Sequence, residues 1–235
     1  MTSAQHPSPA QHAGPSQQSG PTHHPGDDLL IGYAAGSLEE PVALVVATHL
    51  ALCPRCRREV ERLEALGGAL LEEQEAESLD ESGLEQVLSR LDEATVEPEP
   101  ARPAPATLDP RVPSPLRDYL GSGLEQLTWR SRKGFDEAEL LPEAEGFRTR
   151  LMRIRPGTAM PAHTHEGSEL TLVLAGGFSD ELGHFLRGDV AEADPSVRHQ
   201  PIADPGEDCI CLAVTDAPLR LTGPVGRLLN PFLRI

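Results

Sequence analysis

A histidine and two cysteines stand close together in the N-terminal third of the chain. His49, Cys53 and Cys56 follow one another at spacings of four and three residues. On a helix such spacings share one face, and two thiolates with one imidazole are three of the four ligands of a tetrahedral zinc site. A fourth ligand must come from elsewhere, and His24 is the candidate, with His23 as the alternative. Two structural thiols beside a surface histidine would fit less well, because the residues between the cysteines are polar.

A second set of metal-ligating side chains lies in the C-terminal half of the chain. His163 and His165 are two residues apart, so on a strand they point to the same face. A turn after them can bring Glu169 back to that face, and His199 is the leading candidate for a further ligand from a neighbouring strand. Three histidines and one carboxylate bind zinc, iron, manganese, nickel or copper, so the ligand types do not choose the metal.

A second cysteine pair follows near the C-terminus. Cys209 and Cys211 alternate along a predicted strand and therefore share a face. We interpret them as packed core thiols, with a redox pair as the alternative. If they border the metal set, oxidation of either thiol could still matter.

The predicted secondary structure that must position these side chains differs from one part of the chain to the next. The tail 1–22 is rich in Pro, Ser, Gln, Gly and His, which predicts disorder. Apolar residues at helical spacing then predict an all-α domain over 23–91. The predicted helices cover about 27–35, 41–52, 57–76 and 83–91.

A proline-rich stretch divides the chain in two. Residues 92–115 contain seven prolines and read as a semi-extended linker. Beyond it, over 116–235, the apolar period changes to two, and short strands alternate with Pro, Gly and Asp turns. Many short strands without intervening helices predict an all-β sandwich or barrel. The predicted strands include 127–130, 147–154, 170–174 and 209–214.

Charge and composition exclude several classes of function. The 235 residues carry a formal charge of −17, which argues against nucleic acid or an anionic membrane as a direct partner and favours a basic protein. No apolar run is long enough to span a membrane, and the N-terminus lacks the apolar core of a signal peptide. Four cysteines in two close pairs favour metal chemistry over a secreted disulfide framework. We therefore expect a cytoplasmic protein.

The N-terminal motif resembles a known family. A histidine before the first helix, followed by His49-x3-Cys53-x2-Cys56, is similar to the zinc-binding anti-sigma fold, and the segments 33–36 and 44–50 match ChrR-type anti-sigma factors more closely. The resemblance implies that His24, His49, Cys53 and Cys56 bind zinc. It also implies that the helical domain clamps a sigma factor of the extracytoplasmic-function type.

The C-terminal motif resembles the cupin superfamily. The spacing Gly157-x5-His163-x-His165-x3-Glu169-x6-Gly176 matches the first cupin motif without gaps. In the second motif Gly188 and His199 are retained, but Asp, Ser and Ala replace the usual Pro, Gly and Asn, which places enzymatic activity in doubt. The resemblance implies a jelly-roll-like all-β cupin barrel. A helical zinc domain followed by a cupin is itself the arrangement of ChrR-type proteins.

Two hypotheses for the function follow. In the first, the protein is a regulator without catalytic residues: the helical domain holds a sigma factor in a 1:1 complex, and the cupin releases it on sensing a signal, which the resemblance implies is reactive oxygen such as singlet oxygen or organic peroxide. We expect zinc as the cupin metal, with iron, manganese and nickel as alternatives. In the second hypothesis, the cupin is a metal-dependent oxygenase with an appended zinc domain. Metal identity discriminates between them, because an octahedral metal with four protein ligands keeps two positions for dioxygen and substrate.

Overall fold

Helices form the N-terminal part of the chain, as the apolar spacing predicted. The computed structural model describes residues 20–78, 80, 82–93, 109–120, 123–142, 144 and 146–223. Within them the helices are α1 (Asp27–Ala34), α2 (Glu40–Leu52), α3 (Pro54–Glu72), α4 (Gly83–Glu93) and α5 (Ser114–Leu120), with a short 3-10 helix at Leu124–Gln126. None of these helices is long and apolar enough to cross a membrane.

Local chemistry explains where the first helices begin and end. Asp27 and Asp28 occupy the first turn of α1, where carboxylates meet unpaired N–H groups. Gly36, at a φ of +64°, ends that helix in the left-handed region. Between α2 and α3, Cys53 adopts an extended conformation and its sulfur accepts from the Cys56 backbone N–H at 3.5 Å. The zinc motif therefore lies at a helix junction rather than on one continuous helix.

Antiparallel strands form the C-terminal part. They are β1 (Arg130–Ser131), β2 (Phe135–Leu140), β3 (Arg148–Ile154), β4 (His163–His165), β5 (Glu169–Ala175), β6 (Gly177–Ser179), β7 (His184–Leu186), β8 (Val190–Ala193), β9 (Arg198–His199), β10 (Ile202–Ala203), β11 (Cys209–Thr215) and β12 (Leu219–Leu221). A six-stranded sheet has the order β1-β2-β3-β11-β5-β8, and two three-stranded sheets have the orders β10-β6-β7 and β12-β4-β9. The sheets are therefore not closed into one hydrogen-bonded barrel, although the predicted all-β architecture is confirmed.

The six-stranded sheet is buried on both faces. On one face Leu151, Leu172 and Leu212 pack with Leu44 of α2 and Leu116 of α5 in a single core cluster. A second cluster, on the inner side of the β domain, joins alternate side chains of the six-stranded sheet to side chains of the β10-β6-β7 sheet. It includes Ile154, Val173, Phe178, Phe185, Cys209 and Cys211. One face of α2, together with α5, thus shares a core with the six-stranded sheet, while α1, α2 and α3 pack around a third cluster that includes Leu30, Val46 and Val60.

Several predicted boundaries shift. Of the expected linker 92–115, residues 94–108 lie outside the described part, but Val112 is buried in the shared core and α5 begins at Ser114. Thr22, predicted to be in the disordered tail, donates its backbone N–H to Asp189 at 2.6 Å. The tail 1–19 lies outside the described residues. These packed positions carry too little apolar spacing to reveal burial in advance.

The predicted strands at 147–154, 170–174 and 209–214 are confirmed as β3, β5 and β11. The predicted strand at 127–130 is wrong, since only Arg130 of that segment is in a strand. Trp129 instead folds back on the 3-10 helix, where its indole N–H donates to the Leu124 carbonyl at 2.9 Å. The Trp129 backbone N–H also donates to the Leu127 carbonyl at 3.0 Å, so this donor does not pair with a neighbouring strand.

Candidate metal centres

The N-terminal set of metal-ligating residues converges at the junction of α2 and α3. One ligand atom each from His24, His49, Cys53 and Cys56 lies within 4.8 Å of the others. His24 Nδ1 is 3.5 Å from the Cys53 sulfur and 3.4 Å from the Cys56 sulfur. A tetrahedral zinc with its usual bond lengths holds nitrogen and sulfur ligands about 3.5 Å apart. The four side chains therefore fit a tetrahedral ion.

The ring of His49 is oriented by the β domain. Its Nδ1 lies 2.7 Å from the carbonyl oxygen of Gly188, so this nitrogen carries the proton and donates. The other nitrogen, Nε2, is buried and has no hydrogen-bond partner within the described part of the chain. A buried acceptor without a partner costs free energy, and a bound cation removes that cost. Metal-ligating histidines commonly use their second nitrogen in this way.

Burial disfavours the charged forms of three members of this set, His24, His49 and Cys56. Desolvation is the main cause that lowers the pKa of both His24 and His49. Desolvation, followed by the hydrogen bond with Cys53, raises the pKa of Cys56 to about 12. Metal binding requires the thiolate, so an ion at this site would displace the thiol proton.

His23 takes a different place from His24. Its backbone N–H donates to the Asp189 carboxylate at 3.0 Å, and its ring lies 4.4 Å from that of Phe185. His23 therefore contacts the β domain, while His24 turns toward the cysteines. Of the two alternatives left open by the sequence, the geometry brings His24 into the set.

The second set forms where the β12-β4-β9 sheet faces β5. His163 and His165 lie on β4, His199 lies opposite His163 on β9, and Glu169 begins β5. Ligand atoms of these four residues also lie within 4.8 Å of one another. His199 Nε2 is 3.0 Å from His163 Nε2 and 3.1 Å from His165 Nε2. The sequence thus identified all four members of the set.

Two imidazole lone pairs face each other in this second set. His163 Nδ1 lies 2.8 Å from the Pro161 carbonyl oxygen, and His199 Nδ1 lies 2.7 Å from the Asp180 carboxylate. Both Nδ1 atoms therefore carry protons, which leaves the two Nε2 atoms as acceptors at 3.0 Å. Burial lowers the pKa of His163, which disfavours a second proton there. A metal ion between the nitrogens satisfies both, so this set also fits a cation.

The two C-terminal cysteines lie beside the second set. Cys209 and Cys211 are buried free thiols on the inner face of β11, as the alternation predicted. The hydrogen bond with Cys209, together with burial, raises the pKa of Cys211 well above its usual value. Their packing in the inner cluster agrees with the interpretation as core thiols.

Sequence reasoning missed the residues that hold the ligands. Asp180 orients His199, Gly188 orients His49, and Asp189 binds the backbone ahead of His24. Gly188 was noted only as part of a motif. An acidic residue in a turn and a backbone carbonyl carry no distinctive spacing, so no pattern could have revealed these contacts.

Comparison with known proteins agrees with both parts of the chain. Residues 123–218 match the family model described as the ChrR cupin-like domain. The chain is 47% identical to the anti-sigma-E factor ChrR of Cereibacter sphaeroides over 213 residues. This alignment covers 91% of this chain and 98% of that protein. A crystal structure of Rhodobacter sphaeroides SigE in complex with the anti-sigma ChrR matches with 44% identity and a TM-score of 0.71, covering 83% of this chain and 99% of the other.

Proposed function

Because the chain belongs to the family of ChrR anti-sigma factors, we propose that it binds a sigma factor of the extracytoplasmic-function type and withholds it from transcription. The complex has one copy of each protein, and the N-terminal helices make the contact. Members of this family regulate by binding rather than by catalysis, which favours the regulator over the cupin oxygenase.

An exposed apolar surface on α3 and α4 carries this proposal. Seven large aliphatic side chains of these two helices are between 51% and 73% exposed. They are Leu66, Leu70 and Leu71 of α3 and Leu84, Val87, Leu88 and Leu91 of α4. Aliphatic side chains spaced along a helix and left uncovered by the fold are typical of a protein-binding surface. We call these seven residues the apolar helix surface.

Charge supports a basic partner for the same region. Residues 23–91 hold 14 acidic and 5 basic side chains, a net charge of −9. Acidic side chains around the apolar helix surface would speed association with a basic surface, while the apolar contacts would supply most of the affinity. A sigma factor would offer such a basic surface where it binds the phosphates of DNA.

Zinc at the N-terminal set would stabilise the binding unit. His24, His49, Cys53 and Cys56 would hold it, and the ion would supply folding free energy to a small helical domain. Two cysteine sulfurs in the set favour zinc over harder metals such as magnesium or manganese.

The cupin would be the sensor of reactive oxygen. His163, His165, Glu169 and His199 would hold a divalent metal, with zinc as the first choice and iron, manganese or nickel as alternatives. Contacts of the β domain support a route from this set to the helices: Asp180 accepts a hydrogen bond from His199, and the adjoining 183–190 segment contacts both His23 and His49. A change at the cupin set could therefore move the segment on which the zinc ligands rest.

Substitution of the apolar helix surface tests the proposal. Leu84→Glu and Leu88→Glu on α4 place a charge where a partner would bury an aliphatic side chain, which costs about 2 kcal/mol or more each. We expect at least tenfold weaker binding, measured by calorimetry with the sigma factor encoded beside this chain, and loss of inhibition in transcription in vitro.

Ile202→Glu is the matched control, because Ile202 is 45% exposed on β10, a strand of the β domain outside the 183–190 segment. This variant should bind and inhibit like the unmodified chain. Full inhibition by a folded Leu84→Glu, Leu88→Glu protein would exclude α4 from the contact, and failure of the unmodified chain to bind any such sigma factor would refute the proposed function.

A further inference from the structure

A cavity of about 520 Å³ lies inside the β domain, beside the second metal-ligating set. Its size is within the range of pockets that bind small molecules. Most of its wall is apolar and includes Phe135, Met152, Met160, Phe178 and Leu219. Such a wall suits a hydrocarbon chain rather than a sugar or a nucleotide.

One buried cation interrupts this wall. Arg150 of β3 lines the cavity, its side chain is only 5% exposed, and its Nε has no hydrogen-bond partner among the described residues. The nearest carboxylate oxygen with which it pairs, Glu137 Oε2, is 3.7 Å from Arg150 Nη1. A guanidinium offers five donors, so a buried one with an unused donor is costly unless an acceptor reaches it.

Neighbouring arginines already share Glu137. Arg132 lies 3.1 Å and Arg148 lies 3.9 Å from its carboxylate oxygens, so one carboxylate faces three guanidinium groups. Lys133 adds a further cation to the lining, while Glu169 adds the other carboxylate. In a chain of net charge −17, this cavity is locally cationic. A local excess of positive charge attracts an anion.

We propose that this cavity binds a monocarboxylate with a medium-length hydrocarbon chain. Arg150 holds the carboxylate through its planar pair of N–H donors, and the hydrocarbon lies against the apolar wall. This binding site goes beyond the proposed function, and it is measured on the chain alone. Its failure would therefore leave the anti-sigma proposal untouched, and the reverse also holds.

Binding of octanoate and octanol to the full chain, purified with its metals, tests the proposal directly. We expect one octanoate per chain by calorimetry, octanol at least tenfold weaker, and about fourfold tighter binding for each methylene added to the acid until the cavity is full. Equal binding of octanoate and octanol, or no binding of octanoate, would overturn the proposal.

Substitutions at Arg150 locate the carboxylate. Arg150→Met should weaken octanoate binding at least tenfold and leave octanol unchanged, whereas Arg150→Lys, which keeps the charge but not the planar donors, should be intermediate. Arg153→Met is the matched control, because Arg153 lies on the same strand with its guanidinium over Trp129 at 4.5 Å. If a folded Arg150→Met or Arg150→Lys protein bound octanoate as tightly as the unmodified chain, the carboxylate would lie elsewhere, including at the histidine set. If Arg150→Met did not fold, the lysine variant and the octanol comparison would still decide the question.

Discussion

At the scale of single residues, each metal-ligating set depends on a hydrogen bond outside the set. His49 donates Nδ1–H to Gly188, and His199 donates Nδ1–H to Asp180, so the Nε2 atom of each ring is left to face its set. A fixed tautomer and a fixed ring direction reduce what a metal must reorganise on binding. Substitution of such a partner should therefore change metal affinity without removing a ligand.

Asp180→Asn tests this for the second set. Asparagine keeps the size of the side chain but removes the negative charge that orients His199, so we expect about 10- to 100-fold weaker metal binding in the β domain. Competition with a chelator measures the affinity. Asp204→Asn is the control, because Asp204 pairs with the exposed His184 at 2.7 Å, away from both sets. Equal metal retention by both variants would contradict the role of Asp180.

Cys53→Ala tests the first set. We expect loss of the N-terminal metal and unfolding of α1–α3, since a structural zinc contributes on the order of 10 kcal/mol in small zinc domains. Metal analysis and far-ultraviolet circular dichroism measure the two effects.

For that variant Cys209→Ala is the control, because Cys209 is equally buried but lies outside the set. It should keep the N-terminal metal. A zinc-free Cys53→Ala protein with unchanged helix content would show that the fold does not need the ion.

At the scale of elements, the turn before β8 joins the two parts of the chain. The Asp189 carboxylate accepts from the backbone N–H groups of Thr22 and His23, and the Gly188 carbonyl accepts from His49. The backbone of this turn requires glycine at position 188, because Gly188 has a φ of +94° and an added Cβ would lie 2.6 Å from Pro21 Cγ. A side chain at this position must displace the N-terminal segment.

Gly188→Ala should lower stability and loosen the N-terminal metal together. The backbone strain alone costs roughly 1–3 kcal/mol, and displacement of Pro21 adds to it. Gly206→Ala is the control, because Gly206 has a φ of +116° but nothing within 4 Å of an added Cβ. Thermal unfolding should show the larger fall in Tm for Gly188→Ala, and metal loss for that variant alone. If both variants showed the same fall in Tm and both kept the N-terminal metal, the turn would have no role in metal binding.

At the scale of the whole molecule, the β domain serves as a platform for the helices. Leu44 and Val45 of α2 are 4% and 0% exposed because they pack against the six-stranded sheet and α5. The division into an anti-sigma domain over 23–91 and a cupin over 116–235 stays a prediction. A fragment over 23–91 would expose these side chains, so we expect it to be less stable than the full chain even where zinc is bound.

His163→Ala separates inhibition from sensing. The substitution removes a ligand of the second set and leaves the apolar helix surface intact, so basal repression of a reporter promoter should persist while induction by photosensitised oxidant falls. Glu207→Ala, at an exposed turn outside both sets and outside the 183–190 segment, should behave like the unmodified chain. Full induction in a metal-free His163→Ala protein would remove sensing from this site, and loss of basal repression would show that the shared core couples the two activities.

The amino-acid sequence correctly predicted most features that depend on short-range patterns. The helix and strand periods placed α1–α4, β3, β5 and β11, and the spacing of His, Cys and Glu identified the closely spaced members of both sets, while His24 and His199 were candidates from outside that spacing. Signals of close spacing survive in a sequence because they depend on residues within one or two turns of a helix, or within one hairpin. The predicted strand at 127–130 is wrong where the Trp129 backbone N–H donates to the Leu127 carbonyl at 3.0 Å instead of to a neighbouring strand.

Contacts between distant segments required the folded chain. Gly188 lies 139 residues from His49, and Asp189 lies 166 residues from His23, yet these contacts bring His24 rather than His23 to the cysteines. Burial of Arg150 in a cationic cavity likewise depends on the meeting of many strands, from Phe135 of β2 to Leu219 of β12. A hydrogen bond to a backbone carbonyl or a shared core needs no particular residue spacing, so packing decided these features and no pattern in the sequence marked them.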